Sequence, residues 1–330
     1  MLNNITYFLA APYTFQKREN ILPESEDEFV TVRFLYCGVC GSDYSKYIGR
    51  RNKYPVSLGH EFVAQVVHVG NNVSDLAEND LVVSDLNYRC NECDFCKDQR
   101  SHLCIQNGIG RFSNRAFSSY ANIHKSYLYK IPSFSFLPVA CLVEPLSCVL
   151  HACEKLAISS EVAILINGCG SIGMLFAFYL KKILHHDKIK ILEINEQKSV
   201  KVQKNFGISS YKSGDTYDLI IECSNSIEGL HNALQLSQSS KTICIMSHLY
   251  GADTSFVYEY ICKKELNSIF PLRNGNSHNM HLAISYLHSF WKEEYNNLLG
   301  MYNTPMDAFS YKEHDNYSKQ IVKCSYFNAF

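Results

Sequence analysis

Residues 164–176 read ILINGCGSIGMLF. A short apolar run leads into Gly-x-Gly-x-x-Gly at Gly168, Gly170 and Gly173, and an apolar helical pattern leads out. No other stretch restricts the fold as much. An unbroken apolar run of this length marks a strand buried on both faces. Glycines at this spacing allow a tight turn, close approach of a pyrophosphate and close packing of helix on strand. The backbone at the start of the helix, at Ser171 and Ile172, then offers its N–H groups to the phosphates. The bare pattern is a weak signal. The strand before it and the helix after it supply the context that a dinucleotide site needs.

The same alternation continues downstream. KIKILEI (188–194) reads as a strand, residues 196–206 as a helix, and the chain near Ser209 as a short strand. YDLIIEC (217–223) is a strand, a helix starts at Ile227, and KTICIMS (241–247) is a strand. Strands alternating with helices predict an α/β unit with a doubly wound parallel sheet. The connection between the strand near Ser209 and YDLIIEC is too short for a full helical crossover, so any helix there is rudimentary. Glu193 ends the KIKILEI strand, about twenty residues past Gly173. A carboxylate at that place accepts hydrogen bonds from the adenosine ribose and repels a 2′-phosphate, which favours NAD over NADP.

A chain of 330 residues is too long for one ordinary core, and two domains are expected. Up to about residue 140 the pattern is one of strands and loops: FVTVRFLYC, EFVAQVVHVG and DLVVSDL alternate and are β-rich. The formal net charge is −1. That gives no electrostatic reason to expect nucleic acid or an anionic membrane as partner. The opening MLNNITYFLAAPYTF has no basic lead-in, and its apolar run is too short for a secretory signal. No stretch approaches the roughly twenty apolar residues of a membrane span. A cytoplasmic location is expected.

The chain has 14 cysteines, and four fall in CNECDFCKDQRSHLC, residues 90–104. Their spacing is C-x2-C-x2-C-x7-C, at Cys90, Cys93, Cys96 and Cys104. Four thiolates so spaced can wrap one tetrahedral zinc. An Fe–S cluster also takes four cysteines, and four free thiols this close would oxidise readily. Zinc is the expected occupant. A four-cysteine site has no open position, so it staples the fold and the reaction must lie elsewhere.

Three other stretches carry candidate ligands: CGVCGSDYSKY with Cys37, Cys40, Ser42 and Asp43, LGHEF with His60 and Glu61, and LVEPLSCVLHAC with Glu144. A catalytic zinc needs three protein ligands and one open position. Each stretch alone is weak. The ordered set GVCGSD, GHE, the four-cysteine lobe, EPLSCVLHAC, GCGSIG and IIECS resembles the zinc-dependent medium-chain dehydrogenase/reductase (alcohol dehydrogenase) family, and most of all its sorbitol or polyol dehydrogenase branch. The resemblance implies a GroES-like catalytic domain (1–145 and 272–330, with the structural zinc lobe at about 88–106). A Rossmann NAD-binding domain (146–271) is inserted in it.

The resemblance also implies roles. Cys40 and His60 would bind the catalytic zinc. One of Glu61 and Glu144 would be a direct ligand, while the other holds the metal's water or exchanges with it. Cys37 would be a packed thiol. NAD would accept hydride from a carbon bearing a hydroxyl, with zinc making that hydroxyl acidic, and Ser42 would pass the proton to the nicotinamide ribose. The expected substrate is a secondary alcohol of a polyol, sugar or polyol phosphate. An alternative is an amino alcohol, as in L-threonine 3-dehydrogenase. A non-catalytic zinc-stapled binding protein on the same fold is an alternative of another class, and it would predict loss of ligands that are present here. A homodimer or homotetramer is implied.

The chain departs from the family in two places near the zinc ligands. Ser45 stands where many relatives have a histidine that ends the proton relay, and Lys46 stands where sorbitol-type enzymes often have an aromatic. Lys46, Arg50, Arg51 and Lys53 form a basic loop, and Arg111 and Arg115 add to it. Such a loop is either solvated or a phosphate-recognition element in which Lys46 and one of Arg50 or Arg51 contact the substrate.

Overall fold

The computed structural model describes residues 2–50, 53–85, 87, 89–106, 115–249, 251–310 and 316–327. Two large sheets organise it. The first is seven-stranded, in the order Leu299–Tyr302, Lys319–Lys323, Phe29–Gly38, Glu61–Val69, Leu81–Ser84 and Leu128–Lys130, with Tyr120–His124 pairing to Phe29–Gly38. Its early strands alternate because one face packs on a core of Val30, Val32, Phe34, Ala64 and Val66. A small sheet of Leu2–Ala11, Thr14–Leu22 and Val56–Ser57 lies alongside.

The second large sheet is parallel and six-stranded: Ser209–Ser210, Ile189–Leu192, Ile164–Asn167, Leu219–Glu222, Thr242–Ile245 and Asn267–Ile269. Ile164–Asn167 is central and fully buried, as its unbroken apolar run requires. The order reverses beside it, which places the glycine turn at a switch point of the sheet, where open α/β sheets bind ligands. The α/β class with a GroES-like unit and a Rossmann-type sheet is thus the observed architecture. Residues 211–218 cross from one edge strand to Leu219–Glu222 without a helix.

One apolar run went unmarked in the sequence. Leu137–Glu154, a 3-10 turn running into the helix Val143–Glu154, is long and apolar enough to cross a membrane by length and composition. It is instead a core element, mostly buried and packed against the helix Ser277–Phe290. The helix after the glycine turn also differs: regular α-helix ends at Phe178 and a π-turn spans Tyr179–Ile183.

Register places the site. Gly38, the last residue of its strand, pairs with Glu61 on one side and Ile321 on the other. The C-terminal strand therefore runs beside the residues that lead into Cys40.

Candidate active site

Cys40 caps the short helix Gly41–Tyr47, and its Sγ accepts from Ser42 N at 3.4 Å and from Ser42 Oγ at 3.3 Å. His60 and Glu61 open the neighbouring strand. The ligand atoms of Cys40, His60 and Glu61 lie within 4.8 Å of one another. A thiol, an imidazole and a carboxylate converging this closely form a donor set that fits a catalytic zinc. Asp43 orients the imidazole. Its Oδ2 lies 3.4 Å from His60 Nδ1 and accepts from Gly59 N at 3.2 Å, and Lys46 Nζ stands 3.8 Å from its other oxygen. Burial alone would raise the Asp43 pKa; the charge and hydrogen bond of His60, helped by Lys46, outweigh burial and hold it well below the usual carboxylate range. The same pair works on His60, where burial favours the neutral ring but Asp43 wins and pushes its pKa well up. A carboxylate fixing the outer nitrogen of a metal-binding histidine is how such rings are aimed.

Lys319 is a participant that sequence reading missed. Its side chain is fully buried, ion-paired with Glu61 Oε2, and its Nζ donates to Val39 O at 3.1 Å. Burial opposes the ammonium, yet the charge of Glu61 outweighs it and the Lys319 pKa is raised. Gly38 makes room for this pair: a Cβ there would sit 2.5 Å from Lys319 Cε and 2.9 Å from Glu61 Oε2. A lysine opening an apolar strand reads in sequence as an ordinary edge residue, so only the register exposes its role.

Glu144 comes from the helix Val143–Glu154 and is buried. It is not one of the three groups that converge within 4.8 Å. Burial pushes its pKa up to about 7, with the charges of Glu61 and Asp85 adding and those of His60 and Lys319 opposing. Its Oε1 faces the Cys148 thiol at 3.8 Å. Cys37 is buried in the apolar core and is not one of the three converging groups.

The glycine turn is built as its spacing requires. Gly168 has φ +95°, and a Cβ on it would lie 2.8 Å from Ser224 Cα. A Cβ on Gly173 would lie 1.8 Å from Gly168 O, whereas one on Gly170 would meet nothing within 4 Å. The space over Gly170 is the cradle that a pyrophosphate needs. Ser171 and Ile172 start the helix, and Ser171 Oγ donates to Ser318 O at 3.2 Å. Glu193 accepts from Cys169 N at 2.6 Å and from Asn195 N at 2.9 Å, so it braces the turn as well as facing outward. A carboxylate keeps further lone pairs for ribose hydroxyls. Next to it Ile194 is 99% exposed, an apolar surface at the mouth of the turn.

A strap joins the two regions. Asn195 Nδ2 donates to Asn316 Oδ1 at 3.2 Å, Lys201 Nζ to Asn316 O at 3.1 Å, and Ser318 accepts from Ser171. The next residue is Lys319, on Glu61.

Cys90, Cys93, Cys96 and Cys104 also converge within 4.8 Å. Hydrogen bonds from backbone N–H groups, that of Cys96 foremost, pull the Cys93 thiol down to about 6, and burial pushes Cys96 up to about 12. The four sulfurs fit a closed zinc site. The lobe docks on residues 273–275. Gly275 O accepts from His102 N at 3.1 Å and lies 2.9 Å from His102 Nδ1, and Arg273 Nη1 donates to His102 O at 3.2 Å. Arg89, just before Cys90, pairs with buried Asp85.

The basic loop is not uniformly solvated. Lys46 is largely covered and tied to Asp43, Arg115 lies close enough for Asp43 to act on its charge, and Arg50 is exposed. Arg51 and Arg111 lie outside the described residues. Ser45 is buried and donates to Gly41 O at 3.0 Å, so its hydroxyl serves its own helix.

Residues 26–133 match the alcohol dehydrogenase GroES-like domain. The chain is 35% identical to a D-arabitol-phosphate dehydrogenase of Enterococcus avium over 49% of its own length and 47% of that protein's, so this match spans about half of the relative. It is 27% identical to a sorbitol dehydrogenase of Halalkalibacterium halodurans over 77% of this chain and 79% of that one. Among solved structures, a zinc-binding dehydrogenase of Sinorhizobium meliloti 1021 bound to NADP superposes with a TM-score of 0.82 at 22% identity, covering 98% of this chain and 100% of the other.

Proposed function

We propose that this chain is a medium-chain alcohol dehydrogenase and, within that family, an NAD-dependent, zinc-dependent polyol dehydrogenase. One observation carries the reading. The Cys40–His60–Glu61 set and the glycine turn are brought together: Asn225, beside Ser224 on the glycine turn, approaches Gly41, and the strap 316–319 spans from Ser171 to Glu61.

Zinc held by Cys40, His60 and Glu61 supplies the Lewis acidity that makes an alcohol O–H acidic, and NAD supplies the hydride acceptor. The chain's own residues do the rest. Asp43 aims His60. Lys319 balances the charge of Glu61. Ser42, beside Cys40, stands where it can take the alcohol proton. Glu144, with its pKa near neutrality, can hold or give up a proton at working pH. Glu193 supports NAD over NADP, because a carboxylate held at the end of this strand repels a 2′-phosphate.

Phosphorylated polyols belong in the substrate class. Lys46 and Arg50 stand on or just after the helix that starts at Cys40, and the relative from Enterococcus avium is named for an arabitol phosphate. The exposed Phe270 and Leu272 follow the outer strand Asn267–Ile269 of the parallel sheet, which supports a homodimer or tetramer through that edge. All fourteen cysteines are free, which suits a reducing cytoplasm.

The test is NAD reduction by the zinc-loaded protein on sorbitol, xylitol, ribitol and galactitol, each paired with its monophosphate, and on L-threonine. Turnover on a polyol or its phosphate upholds the reading. Turnover on threonine alone, or none with two zinc ions bound, overturns it.

A further inference from the structure

Asn225 follows the strand Leu219–Glu222 and faces the metal-site helix from the dinucleotide side. Its backbone is left-handed, with φ +55°, and its N–H donates to Ser247 Oγ at 2.8 Å. Asparagine is one of the few residues other than glycine that adopt this conformation readily. Glycine would do so at less cost, so the turn alone does not call for a side chain here. The side chain reaches toward that helix: Asn225 Nδ2 lies 3.8 Å from where a Cβ on Gly41 would stand. Gly41 lies between Cys40 and Ser42. Among the described residues the half-buried Asn225 carboxamide makes no hydrogen bond within the protein.

The position of this free carboxamide limits what it can meet. Its neighbour Ser224 packs directly on Gly168 of the glycine turn. A dinucleotide with its pyrophosphate on that turn and its reacting ring at the Cys40 set must carry its second sugar between the two. A sugar offers hydroxyls in that gap, and a carboxamide both donates and accepts. We propose that Asn225 is a cofactor-positioning residue whose side chain hydrogen-bonds the hydroxyls of the sugar nearest the metal site, fixing the reacting ring against Ser42 and the substrate. This rests on the dinucleotide reading above and adds a residue and a contact to it. A polyol presents the same hydroxyl chemistry, and the test separates the two sources.

The experiment measures Kd for NADH, ADP-ribose and ADP on the zinc-loaded wild type and on Asn225→Gly, with melting temperature and polyol KM alongside. ADP lacks the second sugar. The expected result is a roughly three- to tenfold weaker Kd for NADH and ADP-ribose, the size of one or two neutral hydrogen bonds, with ADP unchanged. The melting temperature should hold or rise, since glycine suits φ +55°. Asn225→Asp removes the donor and keeps an acceptor, so it should spare ADP and weaken the other two ligands no more than Asn225→Gly does. Equal weakening of all three ligands would mean that Asn225 only shapes the turn, and would overturn the proposal. So would no change in any of them. A raised polyol KM with unchanged NADH affinity would assign the carboxamide to the substrate and overturn the sugar contact. A wild type that bound no dinucleotide would remove the underlying reading itself, a result distinct from any difference between variants.

Discussion

Lys319 and Glu61, 258 positions apart in sequence, form a fully buried ion pair against one edge of the Cys40–His60–Glu61 set. On the zinc reading proposed above, Glu61 would be shared between a metal and an ammonium. Removing one partner of a buried pair typically costs about 3–5 kcal/mol, because the other charge is left uncompensated. Lys319→Met should cost that much in the metal-free protein. With zinc bound, Glu61 has a second cation, and the loss should fall by at least about half. Urea unfolding of wild type and variant, with and without zinc, measures both. Equal losses in the two states would show that Glu61 does not serve the metal. Gly38→Ala should act through the same pair, since its Cβ would press on Lys319 Cε and Glu61 Oε2.

Metal content tests the two candidate zinc sites. The wild type should carry two zinc ions per chain. Cys40→Ser should carry one and lose at least about a hundredfold in kcat, since the Lewis acid supplies several kcal/mol. Its melting temperature should change little, because serine is a good helix cap in that place. Cys93→Ser with Cys96→Ser should also carry one zinc, but here the melting temperature should fall while residual activity follows the folded fraction. The lobe holds residues 273–275, which lead into the helix Ser277–Phe290, so its loss loosens the anchoring of that helix. One zinc in the wild type would contradict the assignment of two sites.

What could be read from the sequence was what depends on local spacing. The strand–glycine turn–helix unit is set by periodicity and steric limits within a dozen residues, and the four cysteines by their own spacing. The GroES-like strands showed through alternation. Lys319, Asn225 and the strap 316–318 gave no such signal. Their partners are fixed by strand register and by the docking of the two halves, and nothing near them in sequence differs from an ordinary strand or turn. Lys46 was singled out for its charge, but its pairing with buried Asp43 needed the helix geometry. Glu193 looked like a ribose ligand alone. Its hydrogen bond from Cys169 N of the glycine turn appears only once the strands are side by side.

That double duty of Glu193 has a measurable cost. Glu193→Ala leaves Cys169 N and Asn195 N without their acceptor, a loss of about 1–3 kcal/mol in stability. It also removes the charge that opposes a 2′-phosphate, so the preference for NAD over NADP should shrink about tenfold or more. Steady-state kcat/KM with each cofactor, alongside a thermal melt, reads both effects. A changed cofactor ratio with an unchanged melt would argue against the brace. An unchanged ratio would argue against Glu193 as the discriminator.

A buried histidine pair should make stability fall in mild acid. The rings of His102 and His151 lie 4.6 Å apart where the four-cysteine lobe meets the helix Val143–Glu154, and His151 Nε2 is buried without a partner. Burial lowers the pKa of both below the ordinary 6.5; the positive charge of each ring's neighbours adds to this, while Gly275 O opposes it at His102 and Glu154 at His151. A folded state with depressed histidine pKa values refuses protons that the unfolded chain accepts. Stability is therefore fully present above about pH 6.5 and drains as pH falls toward the folded values, by about 1.4 kcal/mol for each unit of depression. His60 has the opposite shift, and its contribution runs the other way. The difference between wild type and His151→Phe isolates the pair. Phenylalanine keeps an aromatic ring against His102 and cannot take a proton. Urea midpoints between pH 7.5 and 5 should fall less steeply in the variant. Parallel slopes would mean that the joint between lobe and helix tolerates a charged His151, and that the acid sensitivity lies elsewhere.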